Sequence, residues 1–320
     1  CLPQPHSPMC SILGLLDLHT DPATARQTAV RLSGLQRHRG PDWSGVYASD
    51  RAVLAHERLA IVDVMGGAQP LLTTDGAVAL AVNGEIYNHR ELRDSLEAPF
   101  DFQTASDCEV LLALYRQRGA DFLVDLVGSF AFVLYDSEED RYLIARDPMG
   151  DMTLYTGRDE HGTLVVASEM QALVPVCKTI EPFPPGHVWD SEVGEPVRYY
   201  TRGWMRYDAV KGSDARAEDV RDALSAAVKR QLMTDVPYGV LLSGGLDSSI
   251  TAALAQQFSR RRVESDGAEE AWWPHLHSFA IGLEGSPDLA AAEEVAAHIG
   301  TVRRTRQFAV EEGIDAVPEV

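Results

Sequence analysis

A cysteine at position 10, directly after Met9 and ahead of the apolar run in "SPMCSILGLLDL", is the first residue that suggests covalent chemistry. Translation starts with methionine, so Met9 is a better candidate for the true beginning than Cys1. Removal of Met9 would leave Cys10 with a free α-amine. Such an amine titrates near pH ~8 and reaches its own thiol, so it can take the thiol proton and return it to a leaving amine. Within a longer chain the same nitrogen is an amide with no basic lone pair. A small buried hydrophobe in a first strand is the other role open to Cys10.

Three further stretches carry groups of the right chemistry. "HERLAIVD" supplies Arg58, whose planar fork suits a carboxylate, although a surface ion pair would use it equally well. "AVNGEIYN" supplies Asn83, Gly84 and Glu85 after a strand-like run. Asn-Gly is a favoured hairpin turn; alternatively, the Asn83 amide and the Gly84 N–H form an oxyanion hole. "TASDCEV" supplies Asp107, either a helix cap or a receiver for an ammonium group.

A separate constellation lies in "GVLLSGGLDSSI", residues 239–250, where Ser-Gly-Gly joins an apolar strand to a helix. Glycines there permit positive φ and close backbone approach, and the helix N-terminus adds donors for a phosphate. Asp247 and Ser248 either cap the helix or, for Asp247, help to hold a magnesium ion carried by a nucleotide. A bare S-G-G is an ordinary strand-to-helix turn, but the whole S-G-G-L-D-S-S string resembles the pyrophosphate loop of ATP-pyrophosphatases, which cleave ATP to AMP and pyrophosphate. It lacks the lysine of a Walker A loop, which disfavours a kinase or ordinary ATPase.

These residues need elements to hold them. From residue 10 to about 200, strand-like runs such as "SILGLLD", "AVLAHERLAIVD", "AVALAVNGEIYN" and "GSFAFVLYD" alternate with turns. "DCEVLLALYRQRG" reads as an amphipathic helix stopped by Gly119. Segregated strands and helices predict an α+β layered domain. Residues 201–217 are polar and irregular and form the expected linker. After it, a helix, the strand "YGVLLS", the glycine loop, a helix and the strand "LHSFAIGL" alternate as in a parallel α/β sheet.

Composition sets outer limits. The net charge of −20 disfavours broad binding to nucleic acid or anionic membranes, which needs positive patches. No apolar run is long enough to span a bilayer, and the opening residues lack the features of a secretory signal. Four scattered cysteines without metal-ligand spacing point to a reducing, cytoplasmic setting and to no intrinsic metal site.

Taken in order, "MCSILGLLD", "RHRGPDWSG", "AHERLAIVD", "AVNGEIYNH" and "SDCEV" resemble the glutaminase domain of class II, N-terminal-nucleophile amidotransferases. Followed by "DVPYGVLLSGGLDSS", they resemble the bacterial B-type, glutamine-hydrolysing asparagine synthetase family from Met9 to the chain end. The resemblance implies an αββα N-terminal-nucleophile sandwich at 10–200 after an upstream extension at 1–9. It further implies an incomplete α/β ATP-pyrophosphatase-type domain at 218–320. Carried over by position, it makes Cys10 the nucleophile and Asn83 with Gly84 the oxyanion hole. Arg58 then holds the glutamine carboxylate, Glu85 and Asp107 meet its ammonium, and the backbone of Leu59, Ala60, Ile61 and Val62 completes the pocket. Leu242, Ser243, Gly244, Gly245, Leu246, Asp247 and Ser248 hold ATP, and the backbone near Ile281 contacts adenine.

The implied reaction makes asparagine from aspartate, ATP with Mg²⁺, and glutamine, through a β-aspartyl-AMP intermediate, without a prosthetic group. Family members form homodimers through the glutaminase domain; composition does not fix the oligomeric state. Three departures stand out. The family's synthetase domain extends well beyond residue 320, Thr153 replaces the usual proline before Leu-Tyr, and nine residues precede Cys10. A stand-alone glutaminase is the alternative activity, and a non-catalytic remnant that binds nucleotide or glutamine is a third possibility. Amidotransferases that aminate sugars share the front domain but are disfavoured by the adenylation loop.

Overall fold

A computed structural model describes residues 9–212, 214–260, 262–263, 270–271 and 275–319. Contacts divide the chain into two compact units, with the division between Ala209 and Val210. The expected linker is not wholly irregular: it contains a 3-10 turn, Gly203–Met205, and a one-turn helix, Tyr207–Val210.

The first unit is built on strands β1 (Ser11–Leu16), β2 (Trp43–Ala48), β3 (Val53–Arg58), β4 (Leu71–Leu72), β5 (Val78–Ile86) and β6 (Gly128–Asp136). Strands β7 (Arg141–Arg146), β8 (Tyr155–Arg158), β9 (Leu164–Ala167), β10 (Ile180–Pro182), β11 (His187–Asp190) and β12 (Pro196–Arg198) follow. They form two six-stranded sheets, ordered β10-β8-β9-β1-β3-β2 and β12-β11-β7-β6-β5-β4. Side chains alternate across each strand, so each sheet has two apolar faces to cover. The inner faces meet through Ile12, Leu54, Ala81, Val133 and Ile144. The outer face of the first sheet, with Leu13, Leu15 and Val165, packs on α1 (Pro22–Gly34) and α4 (Met170–Leu173). On the second sheet, Leu80, Phe130 and Phe132 pack under α3 (Val110–Arg118), beside α2 (His89–Asp94). The result is the expected αββα sandwich.

Two local features differ from the sequence reading. The run "AVLAHERLAIVD" is a strand only as far as Arg58; the rest is a loop, drawn round by the Arg58 side chain. Asn83-Gly84 is no hairpin turn, for both residues lie inside β5, paired in register with Ala131 and Phe130. The turn before Thr153 closes around Asp147, whose carboxylate accepts the N–H groups of Met149, Gly150, Asp151 and Met152.

The second unit contains the end of α5 (Tyr207–Val210), then α6 (Ala217–Gln231), β13 (Gly239–Leu241), α7 (Leu246–Phe258), β14 (His277–Leu283), α8 (Pro287–Ile299), β15 (Val302–Phe308) and α9 (Val310–Ala316). The three strands are parallel, in the order β13-β14-β15. The sequence showed only two of them. The third, "VRRTRQF", carries arginines at exposed positions and lacks the apolar pattern that marks a buried strand. Val240 and Ala280 pack on α7 and α8 through Ala252, Ala292 and Ala296. On β13 and β14, Leu241, Phe279, Ile281 and Leu283 are exposed, with Leu241 at 83%.

Candidate active site

The N-terminal end of β1 opens on a cavity of about 230 Å³. Cys10 lies there because β1 is an inner strand, held by β3 on one side and β9 on the other. The Cys10 thiol donates to the Leu59 carbonyl at 3.4 Å and accepts the Leu59 N–H at 3.3 Å. Behind it, Arg39 Nε donates to the Cys10 carbonyl at 3.1 Å while Nη1 reaches Glu169 at 3.2 Å. Burial pushes the thiol up to about 11, against the opposing effects of the Leu59 hydrogen bond and the Arg58 charge. At neutral pH Cys10 is therefore a thiol, and forming its thiolate requires a base.

Asn83 and Gly84 form another part of the wall. Asn83 is 1% exposed, and its Nδ2 is buried without a hydrogen-bond partner. A buried unpaired donor costs stability, so its persistence beside a cavity marks a place where a ligand oxygen would be received. Gly84 has φ +137°, and a Cβ there would stand 2.0 Å from the Ser129 carbonyl oxygen. Behind this segment, Val82 accepts from His56 Nε2 at 2.9 Å and its N–H donates to Gln69 at 2.7 Å. Burial lowers His56 to about 4, which keeps the ring neutral near pH 7.

The acidic part is formed by Glu85 and Asp107. Burial, and then the Asp107 charge, raise Glu85 to about 8. Burial also raises Asp107, although its Oδ2 accepts the Ile86 N–H at 2.7 Å. The arrangement favours a cationic guest, whose charge would offset both desolvation and mutual repulsion.

Arg58 is only 6% exposed, and its guanidinium is already engaged. Nη1 donates to Val64 at 3.1 Å, and Nη2 donates to Val62 at 3.1 Å and Asp63 at 2.7 Å. The residue thus shapes the loop that walls the cavity. Leu59, Ile61 and Val62 line that wall; Ala60 does not, and its N–H donates instead to Asp42 at 2.9 Å.

Cys108, Tyr87, Gln69 and Ser129 also line the cavity and were not singled out from sequence. Tyr87 follows Glu85 at strand period, and Cys108 adjoins Asp107, so both carried a local signal. Gln69 and Ser129 arrive through long-range pairing and carried none.

In the second unit, Leu242 is buried and its N–H donates to the Phe279 carbonyl at 2.8 Å, tying the glycine loop to β14. Gly244 has φ +80°, and a Cβ there would lie 2.5 Å from the Ala292 nitrogen. Gly245, not Asp247 or Ser248, is the N-cap of α7, and no side chain caps it. Ser243 and Ser248 hydroxyls lie 3.0 Å apart across the loop, and Leu246 and Asp247 open the helix. This leaves first-turn N–H groups for an anion. Ile281 borders a separate cavity of about 380 Å³ with Leu241, Phe279 and Arg304. Among the described residues no group of three or more His, Cys, Asp or Glu side chains could hold a metal ion.

Residues 9–186 match the family described as glutamine amidotransferase domain. The chain belongs to that family. Beyond the amidotransferase segment, residues 219–320 match the asparagine synthase family. Asparagine synthetase B (glutamine-hydrolyzing) of Escherichia coli strain K12 is 59% identical over 312 residues, covering 98% of this chain and 56% of that protein. A probable asparagine synthetase (glutamine-hydrolyzing) of Dictyostelium discoideum is 47% identical over 318 residues, covering 98% and 57%. The chain spans about half the length of the curated relatives it matches. The resemblance carried by the six motifs therefore extends over nearly the whole chain. Among solved structures, glutamine phosphoribosylpyrophosphate (PRPP) amidotransferase from B. subtilis has a TM-score of 0.53 at 18% identity, covering 94% of this chain and 91% of its own. That likeness concerns fold alone. No described helix is long and apolar enough to cross a membrane.

Proposed function

We propose that this chain hydrolyses glutamine at Cys10 and that the protein to which it belongs uses the ammonia to make asparagine. The observation that carries this reading is the single cavity joining Cys10, Asn83, Gly84, Glu85, Asp107 and Arg58. Glu85 and Asp107 receive the substrate ammonium, Arg58 its α-carboxylate, and Leu59, Ile61 and Val62 its aliphatic stem. Met9 lines the same cavity, so its removal would free both space and the Cys10 α-amine. That amine takes the thiol proton, Sγ attacks the side-chain amide carbon, and Asn83 Nδ2 with the Gly84 N–H receives the developing oxyanion. The proton then passes to the leaving ammonia, and water hydrolyses the glutamyl thioester.

In the second unit, Leu242 to Ser248 cradle ATP, with adenine near Ile281. Magnesium would accompany the nucleotide, and Asp247 is the acidic residue within Leu242 to Ser248 that would help to hold it. Aspartate is activated as β-aspartyl-AMP because a carboxylate is too poor an electrophile for direct attack by ammonia. Asparagine, AMP and pyrophosphate are the products. A cytoplasmic location and a homodimer complete the reading and rest on resemblance. The exposed face of β13 and β14 favours a second reading for the 320-residue chain by itself, that of a glutaminase without ATP dependence.

The test compares protein beginning at Cys10 with protein retaining Met9, measuring glutamate and ammonia release and the mass of Cys10 during turnover. A glutamyl adduct and hydrolysis confined to the former are expected, with both lost in Cys10→Ala. Equal hydrolysis by the two forms overturns the α-amine mechanism. Formation of asparagine with AMP from aspartate, Mg-ATP and glutamine separates synthetase from glutaminase.

A further inference from the structure

We infer that His56 and Gln69 are positioning residues for glutamine hydrolysis, gripping the backbone of Val82 so that the neighbouring Asn83 amide is aimed at the oxyanion. The inference rests on the proposed hydrolysis at Cys10 and adds a support from behind that site: Gln69 lines the cavity, whereas His56 does not. The need for a support follows from where β4 stops. β4 is two residues long, with Leu71 opposite Leu80 and Leu72 opposite Ala79. Beyond Leu80, β5 keeps β6 on one side, pairing Asn83 with Ala131, but has no strand on the other. In an antiparallel strand the N–H and C=O of one residue point to the same side, and buried ones must find partners. Val82 is fully buried, and side chains meet both of its groups. Its N–H donates to Gln69 Oε1 at 2.7 Å, and its carbonyl accepts from His56 Nε2 at 2.9 Å. Gln69 stands where the β4 register, continued by two residues, would place the strand partner of Val82.

His56 comes from the other sheet, on β3, in register with Ile12 of β1 and Gly45 of β2. A Cβ at Gly45 would stand 1.9 Å from the Gln69 carbonyl oxygen, so the two sheets close on each other here. Val82 is thus held by one side chain from each sheet. The grip bears on Asn83 because its Nδ2 has no hydrogen-bond partner, which leaves the backbone to aim it. The Val82 carbonyl and the Asn83 N–H belong to one planar peptide, so the His56 hydrogen bond fixes the plane from which Asn83 Cα hangs. In packing terms a histidine is costly at this position, for it is fully buried and its Nδ1 has no partner. A leucine would fill similar space without that unmet nitrogen but would leave the Val82 carbonyl unmet. The ring is not the base: it is neutral near pH 7, spends its N–H on a carbonyl and does not line the cavity.

The experiment measures steady-state glutamine hydrolysis by protein beginning at Cys10, with His56→Leu and His56→Gln each made alone and together with Asn83→Ala. His56→Leu should lower kcat about 10- to 10²-fold with KM little changed. His56→Gln should restore most of that loss, since a glutamine Nε2 lies as many bonds from Cα as the ring Nε2 and can donate to the same carbonyl. In the Asn83→Ala background His56→Leu should lower kcat no further, because the group it positions is gone. A loss of packing alone would lower kcat by the same factor in both backgrounds. Urea unfolding checks that each variant folds. Gln69→Met removes the grip on the other side of Val82 and should show the same dependence on Asn83; it carries the test where His56→Leu does not fold. An unchanged kcat in His56→Leu, or an equal fold-loss with and without the Asn83 amide, overturns the inference while leaving hydrolysis at Cys10 intact. Absence of hydrolysis by the unaltered protein overturns the reading of the Cys10 site and this inference with it.

Discussion

Glu85 and Asp107 face one cavity, and burial together with their mutual repulsion determines how the site responds to pH. Below about 8 Glu85 is protonated in the free protein; above it, a carboxylate is available to an ammonium group. Glutamine affinity is expected to rise as pH climbs through about 8, and Glu85→Gln should remove that rise in a calorimetric titration. Stability runs the other way. The native state retains the Glu85 proton from its ordinary value of 4.5 up to about 8, whereas the unfolded chain releases it. Ligand-free protein should therefore lose stability across that window, with a shallower loss in Glu85→Gln, as read by urea unfolding. On the proposed mechanism the Asn83 amide acts on the developing oxyanion, so in Asn83→Ala kcat should fall about 10²- to 10³-fold with KM little changed. Gly84→Ala should cost roughly 1–3 kcal/mol from the backbone region alone, before the collision with Ser129 is added, and denaturant midpoints would show it.

At the scale of elements, much was legible where burial writes a pattern. β1, β5 and β6 are apolar on both faces because layers cover both faces, and α3 ends at Gly119, which has φ +60°. The stretches that line the Cys10 cavity were legible as strings, but the cavity they share was not, because the pairing of Gly84 with Phe130 spans more than forty residues. Gly245 replaced Asp247 as the cap of α7 because the glycine loop itself turns the chain into the helix. β15 was missed because exposed arginines fill it. A Cβ on Gly244 would collide with the α8 backbone at Ala292. If the loop holds ATP as proposed, Gly244→Ala should push α8 away and lower ATP affinity, while the proposed glutamine hydrolysis by the first unit is unchanged; nucleotide titration beside a glutaminase assay checks this.

At the scale of the whole molecule, the two units are unequally supported. The first has three buried clusters rich in leucine, valine and phenylalanine, whereas those of the second are small and largely alanine. Buried apolar area is the main favourable term in folding, so the 210–320 unit should open at lower denaturant. Hydrogen exchange should show β13 to β15 losing protection before β1 to β9. The exposed Leu241, Phe279, Ile281 and Leu283 should also make the chain associate as its concentration rises. Ile281→Lys with Leu283→Lys should reduce that association in sedimentation.

The three hydrogen bonds from Arg58 to its own loop have a kinetic consequence. Both hydrogens on Nη2 are committed, and either fork by which a guanidinium grasps a carboxylate in two places uses Nη2. A carboxylate arriving on that fork must displace the Val62 or Asp63 carbonyl. In rapid mixing, the observed association rate should then level off at high glutamine, at the speed with which the loop lets go.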